Sequence, residues 1–129
     1  MSRATVVLDA SAILAFLFEE SGAETVQRSV SRGLVSAVNW AEVAQACLAR
    51  GADPVAARSA LSNVGLEIVP LHVAVAEAAA AMREATRPFG LSLADRCCLA
   101  LAASYDLPAL TTDGAWADAS TPAIVVLIR

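Results

Sequence analysis

The stretch T-V-V-L-D-A-S-A-I, residues 5–13, decides the reading of this chain. Its first four residues are β-branched or aliphatic, which suits a strand buried on both faces. The run then ends on the carboxylate of Asp9 and resumes as A-I-L-A-F-L-F, a helix-length apolar segment. A carboxylate beside so much apolar sequence is costly to bury without a partner, so Asp9 needs either a capping role or a cation.

Working outward, short apolar runs alternate with helical patterns. Strands are expected over 5–8, 34–37, 66–69, 107–112 and 124–128, and helices over 11–18, 23–32, 72–86 and 92–105. Gly33 reads as the stop of the second helix. Asn39 reads as the N-cap of a helix that runs to Gly51, with Glu42 three residues later. Asp53-Pro54 opens a further helix as a cap followed by a first-turn proline. Pro88 and Gly90 end the 72–86 helix, Asp113-Gly114 marks a turn, and A-W-A-D after it is one helical turn. Strands alternating with helices predict an α/β fold, a three-layer α/β/α sandwich with a central, mostly parallel sheet. At 129 residues the chain is expected to form one domain over 1–129.

Composition excludes several classes of function. The nine basic residues are all arginine, which removes P-loop, Schiff-base and lysine-dependent phosphoaspartate chemistry. Hydrophobic residues make up 57% and the mean hydropathy is +0.60, yet Asp9, Glu19 and Glu20 interrupt the most apolar stretch and no window has the length of a membrane span. An acid inside the apolar run after Arg3 argues against a secretory leader, so a cytoplasmic location is expected. Three cysteines, Cys47, Cys97 and Cys98, are an odd number in apolar helical contexts and read as buried thiols. With one histidine, His72, far from them in sequence, a zinc site lacks ligands.

In an open parallel sheet the working crevice lies beyond the carboxyl ends of the strands. Four acids map there: Asp9 after the first strand, Glu42 in the first turn after the second, Asp95 in the first turn of its helix, and Asp113 after the fourth. Each also has a structural explanation. Asn39-x-x-Glu42 and Ser92-x-x-Asp95 are capping-box patterns, Asp113 can begin a turn, and Asp9 or Ser11 can cap the helix that follows. Those explanations do not predict four carboxylates at one edge of one small sheet. Two carboxylates about 4 Å apart at an effective dielectric near 20 repel by roughly 4 kcal/mol, so such a cluster calls for a cation. Oxygen-only ligation favours Mg²⁺ or Mn²⁺, whose usual task is in-line phosphoryl displacement. A bound cation also reconciles the net charge of -4 with a polyanionic substrate, which Ser11, Arg83, Arg87 and Arg96 are candidates to hold. A solvated helix face explains Arg83 and Arg87 equally well.

At these residues the chain resembles the PIN-domain ribonucleases, and among them the VapC-type toxins of bacterial toxin-antitoxin pairs. The resemblance rests on V-V-L-D-A-S-A-I-L-A, S-A-V-N-W-A-E-V, G-L-S-L-A-D-R-C-C-L-A-L-A and L-P-A-L-T-T-D-G-A-W, in that order along nearly the whole chain. It implies Mg²⁺ or Mn²⁺ held by Asp9, Glu42, Asp95 and Asp113, with Thr111 matching the hydroxyl residue before the last acid. It further implies cleavage of RNA, a cognate antitoxin covering the acidic cleft, and a homodimer. The apolar helix over 13–18 is a candidate partner surface, with core burial expected for at least half of it. The chain departs from the family pattern at Ala115, where many relatives carry a further acid, and at Gly114, where arginine is common. A PIN-like module that binds without cutting and a different metal-dependent phosphohydrolase are the alternatives. A haloacid-dehalogenase-like enzyme would want an aspartate at position 11, where this chain has serine.

Overall fold

The computed structural model describes residues 3–129. In chain order it contains β1 (Val6–Leu8), α1 (Ala10–Leu17), α2 (Ala23–Gln27), a 3₁₀ turn (Val30–Arg32), β2 (Gly33–Ser36), α3 (Ala37–Ala49) and α4 (Pro54–Asn63). Then follow β3 (Glu67–Val69), α5 (Val73–Ala81), α6 (Arg83–Thr86), a second 3₁₀ turn (Arg87–Phe89), α7 (Leu93–Tyr105), β4 (Ala109–Thr111), α8 (Ala115–Asp118) and β5 (Val125–Leu127). The five strands form one sheet in the order β3-β2-β1-β4-β5, with every pair parallel.

Alternation along the strands splits the core into two layers. Val6, Leu8, Val35 and Leu110 face one side and pack with Ile13 of α1, Val26 of α2, Val43 of α3 and Leu61 of α4. Val7, Leu34, Val69 and Ala109 face the other and pack with Ala79 of α5, Leu99 of α7 and Trp116 of α8. The sandwich expected from the sequence is the one observed. Val7 and Leu8 are fully buried, which is why β1 reads as an unbroken apolar run.

Several boundaries differ from expectation for identifiable reasons. Gly33 does not stop an α-helix; it follows the 3₁₀ turn and opens β2 in extended conformation (φ -97°, ψ 147°). A Cβ there would stand 2.9 Å from Leu8 Cδ1, so β2 packs closely on β1 at this point and a larger residue would require the Leu8 side chain to shift. The segment expected as a helix over 23–32 stops early at Gln27, where the Ser29 hydroxyl turns back to the Thr25 and Val26 carbonyls. The cap of α3 is Ser36, whose Oγ accepts from the Asn39 backbone N–H at 3.1 Å. Asn39 is therefore inside the first turn, and Glu42 sits in the second. The helix expected over 72–86 breaks at Met82 into α5 and α6, because the Ala79 carbonyl is shared between Met82 N–H and Arg96 while Thr86 Oγ1 takes the Met82 carbonyl. Cys47, Cys97 and Cys98 are free thiols buried in helices, as expected.

Candidate functional site

The chain runs from β1 outward to β2 and β3, then crosses back to β4 and β5 on the other side of β1. The change of direction falls between β1 and β4, the place where ligands bind in open parallel sheets. Asp9, directly after β1, and Thr111, the last residue of β4, meet at that point.

Asp9 is 5% exposed. Its Oδ2 accepts hydrogen bonds from Ser11 Oγ at 2.7 Å and Thr111 Oγ1 at 3.0 Å. Burial pushes its carboxyl up to about 6; the two hydroxyl bonds oppose that shift, and the negative charges of Asp95 and Glu42 add to it. Behind them lies the fully buried Cys98. Its thiol is raised well above the usual range by burial first and then by the charges of Asp9, Asp95 and Glu42. Three carboxylates from α3, α7 and the end of β1 thus share one electrostatic field.

Each of the four acids is held by one oxygen. Asp9 uses Oδ2, Glu42 Oε1 accepts from Asn39 Nδ2 at 3.1 Å, Asp95 Oδ2 accepts from Ser92 N–H at 2.8 Å, and Asp113 Oδ1 accepts from Ala115 N–H at 2.9 Å. No protein donor reaches the second oxygen of any of them among the described residues. No arginine pairs with them either: the ion pairs of the described residues are Arg50–Glu20 and Arg83–Glu84. Asp113 is exposed and is tied to the same point through its backbone, its N–H bonding Thr111 Oγ1 at 3.1 Å. Among the described residues no three His, Cys, Asp or Glu side chains stand close enough together to hold an ion as they are. The donor set nevertheless suits a hard divalent cation: all oxygen, one buried carboxyl, and no protein cation to balance it.

The structure redistributes the candidates for substrate contact. Ser11 is a support for the site, since its Oγ donates to Asp9, lies 3.3 Å from Thr111 Oγ1 and accepts from Thr112 N–H at 3.0 Å. Arg96 is corrected outright. It is buried under α5 with Nη1 on the Ala79 carbonyl at 2.9 Å and Nε without a partner among the described residues, so helical rotation turns it away from the rim that Asp95 occupies. Arg83 and Arg87 are exposed on α6 and the 3₁₀ turn leading into α7. Of the apolar helix, Ile13 and Ala15 are buried, while Leu14, Phe16, Leu17 and Phe18 are partly buried against the core, with the Arg50 guanidinium 4.2 Å from the Phe18 ring centre.

Asn39 is the residue whose place the sequence misassigns. Read as a cap, it is fully buried and bonds Ser36, Glu42 and the Ala94 carbonyl. Its position three residues after one polar residue and three before an acid was the available signal. Two cavities, one between α3, α4 and β3 and one beside the α1–α2 turn, contain none of the four acids.

The PIN domain matches residues 6–121. A comparison with curated proteins finds no match. Among solved structures, the chain is similar to a toxin-antitoxin complex from Klebsiella pneumoniae, with 23% identity over 97% of this chain and 98% of that one and a TM-score of 0.75. It is also similar to Mycobacterium tuberculosis VapC20, a Sarcin-Ricin loop cleaving toxin, with 16% identity over 88% of this chain and 94% of that one and a TM-score of 0.72. A third is VapBC-5 from Mycobacterium tuberculosis, a member of the VapBC family of toxin-antitoxin systems, with 25% identity, 98% of both chains covered and a TM-score of 0.66. No helix among the described residues is long and apolar enough to cross a membrane.

Proposed function

The chain belongs to the PIN-domain family, and from that premise we propose that it is a metal-dependent endoribonuclease, the toxin of a VapC-type toxin-antitoxin pair acting in the cytoplasm. The observation that carries this reading is the shared habit of the four acids: each is anchored through one oxygen, and among the described residues no protein donor reaches its other oxygen. Asp9, Glu42, Asp95 and Asp113 would hold Mg²⁺ or Mn²⁺. When bound, the ion supplies charge neutralisation at the scissile phosphate and activation of water for in-line attack.

The chain's own part is orientation. Ser11 and Thr111 fix Asp9 through Oδ2, and the capping box of α7 fixes Asp95. These donors hold the carboxylates in place before substrate arrives, which lowers the reorganisation needed during reaction. Arg83 and Arg87, exposed before α7, are suited to contact the phosphates of an RNA strand. An antitoxin partner is supported by the toxin-antitoxin assemblies among the structural neighbours. The partly buried Leu14, Phe16 and Leu17 offer it apolar surface. The homodimer rests on the family resemblance alone.

The test is RNA cleavage by the purified chain. Cleavage is expected with Mg²⁺ or Mn²⁺, is expected to stop in chelator, and is expected to return when the ion is restored. Equal cleavage by metal-free protein would refute the carboxylate chemistry, and failure to cut any RNA in either ion would favour a binding module.

A further inference from the structure

We infer that Asn39 is a positioning residue, one buried amide that sets the spacing between the Glu42 and Asp95 carboxylates and thereby how tightly the rim takes a divalent ion. The inference rests on the metal-dependent reading above and goes beyond it, because Asn39 offers no ligand of its own.

Asn39 is fully buried, and its side chain spans two helices. Nδ2 donates to Glu42 Oε1 at 3.1 Å, within α3, and to the Ala94 carbonyl at 3.2 Å, in the first turn of α7. Glu42 is one of the acids, and Ala94 directly precedes another, Asp95. The orientation of the amide is dictated by its surroundings. Ser36 Oγ accepts from the Asn39 backbone N–H, so its proton is free to go to Asn39 Oδ1. The Ala94 carbonyl can only accept, so the NH₂ group must face it. Flipping the amide would set its oxygen against a carbonyl and a carboxylate at once.

Capping alone does not require this arrangement. Ser36 already caps α3, and a cap has no reason to reach a helix 55 residues further along the chain. Filling the core does not require it either, since an apolar residue of similar volume would avoid burying an amide. What the amide adds is a fixed distance between the second turn of α3 and the first turn of α7, the two turns that carry Glu42 and Asp95. Partners of this kind behind metal-binding side chains typically change affinity or activity by about 10- to 100-fold when removed.

The test is Mn²⁺ binding to the full chain by calorimetry, beside thermal unfolding in chelator. Asn39→Ala is expected to unfold cooperatively in chelator and to bind Mn²⁺ at least about tenfold more weakly than wild type. The double variant Asn39→Ala, Glu42→Gln is expected to lose clearly less than the sum of the two single losses, because Asn39 acts by placing Glu42 against Asp95. If Asn39→Ala does not fold, Asn39→Ser is expected to show the same weakening, since it keeps a polar group but cannot span Glu42 and Ala94. A lowered unfolding temperature with Mn²⁺ affinity unchanged would make Asn39 merely structural and overturn the inference, as would fully additive losses in the double variant. Wild-type protein that binds no Mn²⁺ would overturn the reading beneath it, a result distinct from wild type and variant binding equally well.

Discussion

Thr111 Oγ1 donates a 3.0 Å hydrogen bond to Asp9 Oδ2 across 102 residues of sequence, joining the ends of β4 and β1 at the sheet's change of direction. The same hydroxyl oxygen accepts from Asp113 N–H at 3.1 Å. One buried threonine therefore holds the first acid directly and the last through its backbone. Thr111→Val keeps the shape and removes both bonds. It is expected to cost about 1–3 kcal/mol in urea unfolding, the range for leaving buried polar groups unsatisfied. It should also move the Asp9 carboxyl upward from about 6, which carbon NMR of the side chain would follow. An unchanged titration would mean that the hydroxyl does not stabilise the charged form.

Asp9 gives a pH dependence of unusual sign for an acid. Its folded value of about 6 lies above the ordinary 3.8, so the folded state binds the proton more tightly than the unfolded one. Its contribution is therefore present in full below the ordinary value and is lost as pH rises through about 6, amounting to about 3 kcal/mol. In chelator, Asp9→Asn is expected to gain that much relative to wild type between about pH 4 and pH 7. Denaturant unfolding of the two proteins across that range checks it, and parallel stability curves would contradict it.

The capping box of α7 lets structure and chemistry be separated at one helix start. Ser92 Oγ accepts from Asp95 N–H at 3.1 Å, and Asp95 Oδ2 accepts from Ser92 N–H. Ser92→Ala should lower stability by about 1 kcal/mol and leave most of the activity. Asp95→Asn retains an oxygen acceptor for the cap, so it should stay folded while losing at least about a hundredfold in RNA cleavage, since about 3 kcal/mol of transition-state stabilisation is a modest loss for such a group. Unfolding midpoints and initial rates distinguish the two variants.

Among the described residues the Arg96 side chain makes one hydrogen bond, has an unpartnered Nε and meets no carboxylate. Its burial brings little compensation, and Ala79 keeps its bond from Met82 N–H if Arg96 is removed. Arg96→Met is expected to remain within about 1 kcal/mol of wild-type stability and to leave RNA affinity unchanged. Arg83→Ala with Arg87→Ala should weaken RNA binding and flatten its salt dependence. Filter binding at several salt concentrations reads both, and a loss of affinity in Arg96→Met would return that residue to the substrate surface.

What the sequence made legible was local and repetitive. The run ending on Asp9 announced β1 because both faces of that strand are covered, and Ser92 with Asp95 announced α7 because a capping box is a short-range pattern. The features it hid depend on distant groups. Ser36 and Asn39 are both good caps three residues apart, and only the Ala94 carbonyl of α7 shows that Asn39 is needed elsewhere. The alanine-rich run over α5 has no local stop at Met82; the break comes from Arg96 and Thr86 taking carbonyls there. Arg96 follows Asp95 in sequence, yet the helical turn places it under α5, on the side away from the rim. Strand order has no local signature, so the meeting of Asp9 with Thr111 could be anticipated only as convergence at an edge.

The central claim is that these carboxylates cut RNA, and it is tested most directly by incubating total cellular RNA with Mg²⁺ and either the wild-type chain or Asp95→Asn, then mapping the new ends. Discrete cleavage sites with the wild type, absent from the variant and from wild type in chelator, are predicted. Identical end maps from wild type and a folded Asp95→Asn would contradict the account.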